Sequence, residues 1–166
     1  MVGPIFQLVY ISRAVRPFED AELEELSRVA TTSNTRLDIT GLLLHDGRRF
    51  IQALEGDFAA VDATMARIAR DPRHESIAFV ERVHVPRRQF GGWAMDTRRV
   101  GDTTDTDAFL TDLERTLRDV DDRRLVAAFI GFVMLGRPHL RALRRQSSAA
   151  RDAGDLPQTI CGATSS

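Results

Sequence analysis

Two apolar, β-rich segments, Ile39 to His45 and Arg49 to Glu55, meet at the pair Asp46-Gly47, and this hairpin signal constrains what the rest of the chain can do. In the second segment a period of two puts Phe50, Gln52 and Leu54 on one face and Ile51 and Ala53 on the other. Phe6 to Ser12 reads as a further strand, with Leu8, Tyr10 and Ser12 on one face and Val9 and Ile11 on the other. A helix should follow it. Pro17 and Asp20 mark its start, Glu19, Glu22, Glu24 and Glu25 favour its N-terminal dipole, and Leu23, Leu26, Val29 and Ala30 make its apolar stripe. It ends in the polar cluster Thr31-Thr32-Ser33-Asn34. Gly56-Asp57 caps a second helix with Val61, Met65 and Ile68 on one side, and Asp71-Pro72 stops it. Ile77 to Val85 is a fourth strand and Trp93 to Arg99 a fifth, after the loop Pro86 to Gly92. The order βαββαββ predicts an α+β, ferredoxin-like sandwich with a mixed five-stranded sheet and two helices on one face.

The other face needs a cover, and the last third supplies candidates. Thr106 to Val120 carries Phe109, Leu110, Leu113 and Leu117 at helical spacing, Arg123 to Leu135 is a more apolar helix, and a basic helix follows Pro138 as far as Arg151. Residues 105–122 hold seven acids and two Arg, whereas 123–151 hold seven Arg and no acid. That split fits either an antiparallel pair with complementary solvated faces or a surface for a partner or a second copy. The stripe Leu125 to Leu135 predicts a homodimer or higher homo-oligomer. Residues 152–166, rich in Gly, Ser, Thr and Pro, read as a flexible tail. The expected division is a domain over 1–104, a helical extension for output or oligomerisation over 105–151, and that tail.

Composition removes several chemistries. All 23 basic residues are Arg, so neither a Schiff-base lysine nor a P-loop lysine exists. The single cysteine, Cys161, rules out a disulfide framework and a Cys-rich zinc site and fits a reducing cytoplasm. His45, His74, His84 and His139 lack metal-ligand spacing, so no metal is expected, and there is no nucleophile elbow, Walker loop or dinucleotide fingerprint. A net charge of −1 gives no reason to expect nucleic acid or an anionic membrane. The start of the chain lacks a basic leader, and the most apolar run, Leu125 to Gly136, is 12 residues, short of the roughly 20 a membrane helix needs.

What remains are polar side chains at positions the pattern places inside. Tyr10 and Gln52 sit mid-strand among apolar neighbours, and a buried polar group left unpaired costs about 1–3 kcal/mol. The two could satisfy each other, phenol to amide, as a core pair and nothing more. Asn34 at a helix end reads as a cap, and Trp93 and Met95, on one face of the fifth strand, read as core.

Taken together these segments form a pattern. Leu8-Val9-Tyr10-Ile11-Ser12, Asn34 followed by Ile39-Thr40-Gly41-Leu42-Leu43-Leu44, Phe50-Ile51-Gln52-Ala53-Leu54-Glu55-Gly56, Asp71-Pro72-Arg73-His74 and Phe90-x-x-Trp93-x-Met95 resemble, in order and register over about residues 5–99, the BLUF family of blue-light sensors using FAD. The resemblance implies a flavin ring lying between the two helices over the sheet. Asn34 would bond its carbonyl and imide edge, Arg73 the other pyrimidine carbonyl, Asp71 and His74 would line that end, and Gln52 would stand between Tyr10 and the ring. It also implies photochemistry rather than turnover: Tyr10, with Ser12, Trp93 and Met95 around the site, gives an electron and a proton through Gln52, and a rearranged Gln52 shifts the absorption to the red. FAD is the implied cofactor, with FMN or riboflavin sharing the ring.

The chain is thus expected to be a cytoplasmic photoreceptor that signals through the fifth strand and C-terminal helices to a downstream protein, with no output enzyme of its own. Two other classes compete: a non-photoactive redox flavoprotein, which needs a substrate site, and a colourless ferredoxin-like dimerisation module in which Tyr10 and Gln52 are merely core.

Overall fold

The computed structural model describes residues 4–92, 94–100 and 106–136. Five strands, β1 (Ile5–Ala14), β2 (Thr40–His45), β3 (Arg49–Gly56), β4 (His74–Val85) and β5 (Asp96–Arg99), form one sheet in the order β4-β1-β3-β2-β5. The helices are α1 (Asp20–Arg36), α2 (Phe58–Ala69), α3 (Thr106–Thr116) and α4 (Arg123–Leu135). All neighbouring strands are antiparallel except β2 and β5, which run parallel. This is the mixed, ferredoxin-like sheet the sequence predicts. The described residues up to Val133 form one compact unit; residues 134–136 belong to a second.

The period-two faces of β1 and β3 become two separate cores. Leu8, Tyr10, Phe50 and Leu54 pack with Leu23 of α1 and with Val61 and Met65 of α2. On the opposite face Val9, Ile51 and Ala53 pack with Leu113 of α3 and with Leu125, Phe129 and Phe132 of α4. Burying each such side chain contributes about 1.5–3 kcal/mol, so the C-terminal helices are part of the folding unit. The apolar stripe of α4 is therefore covered within the chain and by itself gives no support to a dimer. Of the arginines of 123–151, Arg137, Arg141, Arg144, Arg145 and Arg151 lie outside the described residues. Asp112 meets Arg98 of β5 and Arg115 of its own helix, and Asp121 meets Arg87 of the β4–β5 loop.

One carboxylate is fully buried on the α3/α4 side. Glu55, at the end of β3, accepts from Gln7 Nε2 at 2.7 Å, from the Gln89 N–H at 2.9 Å and from the Phe90 N–H at 3.1 Å. Phe90 is thereby held against Phe129, ring centroids 6.1 Å apart. Arg88 beside it donates to the Glu55 carbonyl, to Thr40 Oγ1 and to the Asp38 carbonyl at 2.8–3.0 Å.

Several boundaries differ from the sequence reading, each for a local reason. The β2–β3 turn is wider than two residues: His45 pairs with Phe50, and the Asp46 carboxylate accepts from the N–H groups of Arg48 and Arg49, with Gly47 at φ +82°. α1 runs two residues past Asn34 and closes at Leu37. α3 ends at Thr116 rather than Val120. β5 begins at Asp96, so Met95 lies just before it, and Trp93 lies outside the described residues. The basic helix expected up to Arg151 and the tail over 152–166 lie there too.

Gly41 is set by close approach, because a Cβ there would lie 2.1 Å from the Ala53 carbonyl oxygen. Backbone cannot yield as a side chain can, so Gly41→Ala should destabilise the fold by about 1–3 kcal/mol, read as a lower denaturation midpoint at unchanged slope.

Candidate functional site

In the sheet register Tyr10 lies directly opposite Gln52, and both side chains point to the α1/α2 side. The Tyr10 hydroxyl donates to Gln52 Oε1 at 2.5 Å. Tyr10 is 1% exposed and Gln52 5%. Burial, reinforced by the negative charge of Asp71, pushes the Tyr10 phenol far above its ordinary value. It therefore keeps its proton and acts as donor, which turns the amide carbonyl toward it and the amide nitrogen away. That nitrogen, Nε2, meets Met95 Sδ at 3.5 Å.

Asn34 is not a cap. Its backbone carbonyl accepts from the Leu37 and Ile39 N–H groups, while its side chain, 2% exposed, turns inward and donates to the Ala94 carbonyl at 3.0 Å. The longer α1 explains this, since Asn34 falls in the last turn, on the buried side. After α2, Asp71 accepts from the Arg73 guanidinium at 2.6 Å and from the Arg73 N–H at 3.0 Å, which holds its carboxyl below the usual range. The same guanidinium lies 5.8 Å from the centre of the Phe18 ring. His74 opens β4. Its Nδ1 shares a hydrogen bond with Ser12 Oγ at 3.0 Å, and its ring centroid is 4.9 Å from that of Phe50. Burial lowers its pKa against the opposing pull of Asp71, which favours the neutral imidazole.

These side chains border one cleft of about 190 Å³. Tyr10, Asn34, Gln52, Asp71, Arg73 and His74 all line it, as do Leu26, Val29 and Ala30 of α1 and Ile68 of α2. Ser12 and Met95 do not line it; they touch His74 and Gln52, which do. Sequence reasoning missed Thr64 and Arg67. Thr64 had a signal, a hydroxyl on the otherwise apolar stripe of α2. It is 3% exposed, faces the cleft, and its Oγ1 has no hydrogen-bond partner. Arg67 read as an ordinary solvated charge.

The residues present fit a flavin ring. A flat tricycle needs apolar walls, here α1 and α2, and donors and acceptors for its carbonyl and imide edge, here Asn34, Gln52 and Arg73. The unpaired Thr64 hydroxyl is a polar group left to be satisfied by what binds. Among the described residues no group of three or more His, Cys, Asp or Glu side chains is placed to hold a metal ion, and no helix is long and apolar enough to cross a membrane.

Fold and cleft together define a small α+β domain shaped to hold a flat heterocyclic cofactor between two helices. Over residues 5–96 the sequence matches the family described as BLUF, sensors of blue-light using FAD. It is 40% identical over 83 residues to the photoactivated adenylate cyclase subunit beta of Euglena gracilis, covering 50% of this chain and 10% of that protein. The structure is similar to BlrP1 of Klebsiella pneumoniae in its manganese and cyclic-di-GMP complex, at TM-score 0.68 and 32% identity over 80% of this chain and 33% of that one. It is also similar to the dark-state structure of the BLUF protein BlrB, at TM-score 0.60 and 29% identity over 77% of this chain and 99% of that one. The chain belongs to the BLUF family of flavin-binding blue-light sensors. It spans about a tenth of the curated relative and a third of BlrP1.

Thr64→Val removes an unpaired buried hydroxyl at nearly constant volume. The flavin-free protein should be unchanged or slightly more stable to denaturant, while flavin dissociation, followed by fluorescence quenching, should become several-fold faster.

Proposed function

We propose that this chain is a photoreceptor in which light rearranges the Tyr10–Gln52 hydrogen bond, and that residues 105–151 carry the change to a partner protein. The observation that carries the reading is that bond: a neutral phenol aimed at an amide, both side chains buried. Asn34, Arg73 and Gln52 would hold the ring edge, with Asp71 fixing the Arg73 guanidinium and His74 closing that end. Bound flavin supplies, on absorbing blue light, a strong one-electron oxidant. Tyr10 would be the residue that supplies the electron and, through Gln52, the proton to that oxidant, and both would return to it. An amide has a donor end and an acceptor end, so Gln52 can return in a second hydrogen-bonded arrangement, rotated or tautomerised. Tyr10 is the only tyrosine in the chain, so any tyrosyl signal has one source.

The change on Gln52 is worth about 1 kcal/mol, enough to bias a two-state element but not to remodel the domain. We take β5 as that element. Met95, just before it, touches the Gln52 amide, Arg98 within it pairs with Asp112 of α3 at 2.5 Å, and Val100 just after it lies in the core shared with α3 and α4. We take residues 1–104 as the sensor, 105–151 as the output extension and 152–166 as a tail. The output is binding to a downstream signalling protein, with self-association as a second arm. The matched Euglena gracilis relative is a photoactivated adenylate cyclase subunit, and this supports a role as a switch for other activities.

Tyr10→Phe should still bind flavin, since only a hydroxyl is lost, and should show no reversible red shift in a light-minus-dark absorption spectrum. Gln52→Leu should behave likewise. A normal photocycle in either variant would overturn the mechanism. For the relay, Met95→Ala should keep the red shift but lose the light-induced change in hydrogen exchange of α3 and α4. A full response there would exclude β5 as the route.

A further inference from the structure

One buried titratable group lies outside the cleft. His45 ends β2, is 3% exposed, and its Nδ1 has no hydrogen-bond partner among the described residues. The same residue is where β5 closes on the sheet: His45 pairs with Arg99 at the end of the β2–β5 ladder, and its carbonyl accepts from the Val100 N–H at 2.8 Å. Its ring lies beside Phe50 of β3, centroids 6.0 Å apart, and borders a groove of about 540 Å³ between α1 and β5. The charged groups around it are Asp20, Glu24 and Arg28 from α1, Arg99 from β5 and Asp46 next in the turn; β3 presents the Phe50 ring. Most are already engaged. Asp20 pairs with Arg99, Arg28 with Glu25 and Asp46 with Arg49, while Glu24 is exposed. Burial holds the His45 imidazole below its ordinary value against the opposing pull of Asp46, so the ring is neutral in this arrangement. Protonation makes both ring nitrogens donors. Nδ1 would then be a charged donor with no acceptor, and an unpaired buried charge costs far more than a neutral polar group. Water entering along the groove relieves it, and that requires β5 to give way.

We propose that His45 is an acid-operated latch on β5: neutral, it lets the strand close on β2, and protonated, it releases it. Resting on the reading that β5 carries the light signal, the latch sets how far β5 is already open in the dark and hence how large a change light can add. The direction follows from proton linkage. The opened form binds the proton at the ordinary value of 6.5 and the closed form binds it more weakly, so closure is fully favoured above that value and weakens as pH falls below it. His74 is also held down by burial and acts in the same direction from the other side of Phe50, so substitutions at His45 are needed to separate the two.

The test uses the full chain with flavin bound, kept in the dark, and follows amide hydrogen exchange residue by residue as protection factors, which remove the pH dependence of exchange itself. Between pH of about 7.5 and about 5.5 the protection of the Val100 amide should fall by about fivefold, within the roughly tenfold ceiling set one unit below an ordinary imidazole. His45→Phe keeps a ring that cannot take a proton, and His45→Gln serves where the larger ring does not fit. In either variant Val100 protection should stay within about twofold over the same range, because the linked proton is gone. Flat protection in the wild type, or a fall that persists in a folded His45 variant, would overturn the latch. Steady blue light then separates the latch from the relay. Val100 should lose protection in light at pH of about 7.5 and lose less at about 5.5, where β5 is already loosened; an equal loss at both would overturn the control of the light response by His45. No loss in light at either pH, with the dark dependence on His45 intact, would overturn β5 as the relay and leave the latch standing.

Discussion

Strands β1 and β3 are apolar on both faces, and neither face can be left to water. A single buried Leu or Phe is worth about 1.5–3 kcal/mol, and each face carries several. Two helical layers answer this demand, α1 and α2 on one side and α3 and α4 on the other. The layers are not equivalent. On the α3/α4 side the packing is apolar and is closed at one end by the Glu55 network. On the other side the helices leave a cleft between them, and the polar groups beneath it must find partners within the sheet. Tyr10 and Gln52 are opposite one another in register, so each supplies what the other lacks.

Glu55 does for the loop Pro86 to Gly92 what register does for Tyr10 and Gln52. Its carboxylate takes two loop N–H groups and a side-chain amide, and Arg88 fastens the same loop to Asp38 and Thr40. A fully buried carboxylate is tolerated because its oxygens are hydrogen-bonded on several sides. The loop places Phe90 in the core beneath α4 and leads the chain to Ala94 and Met95, which touch Asn34 and Gln52. The two faces of the sheet are thus joined through one short stretch of chain.

Much of this was legible in the sequence because alternation in a strand is a strong constraint. The faces of Leu8, Tyr10, Phe50 and Gln52 follow from a period of two, and the predicted cover of both sheet faces follows from their apolarity. The helix ends were less legible. Asn34 looks like a cap because short polar residues stop helices, yet the Leu37 and Ile39 N–H groups take up the last carbonyls and free the Asn34 side chain to turn inward. The Asp46-Gly47 turn was misjudged in width because a carboxylate accepting two backbone N–H groups stabilises a longer connection as well as a shorter one. Thr64 was missed for a different reason. A single hydroxyl on an apolar stripe reads as tolerated core until its lack of a partner is seen in three dimensions. The acids of residues 105–122 read against the arginines of 123–151, of which Arg137, Arg141, Arg144, Arg145 and Arg151 lie outside the described residues; Arg98 and Arg87 reach Asp112 and Asp121 from the sheet edge and a loop, contacts that separation in sequence conceals.

The sheet has two very different edges. β4 is a strand of 12 residues on one side, and β5 is one of four on the other, joined to β2 by four paired positions. Beyond that pairing β5 is held by the Val100 N–H on the His45 carbonyl, by the Ser27 hydroxyl of α1 on Thr97 Oγ1 at 3.0 Å, by burial of Val100, and by ion pairs of Arg98 and Arg99 that are partly or largely open to solvent, where such pairs contribute little. Cooperative units in proteins open in order of what holds them. The edge next to the Gln52 amide is therefore the one that can peel away as a small foldon of its own, while the central strands and both cores stay closed.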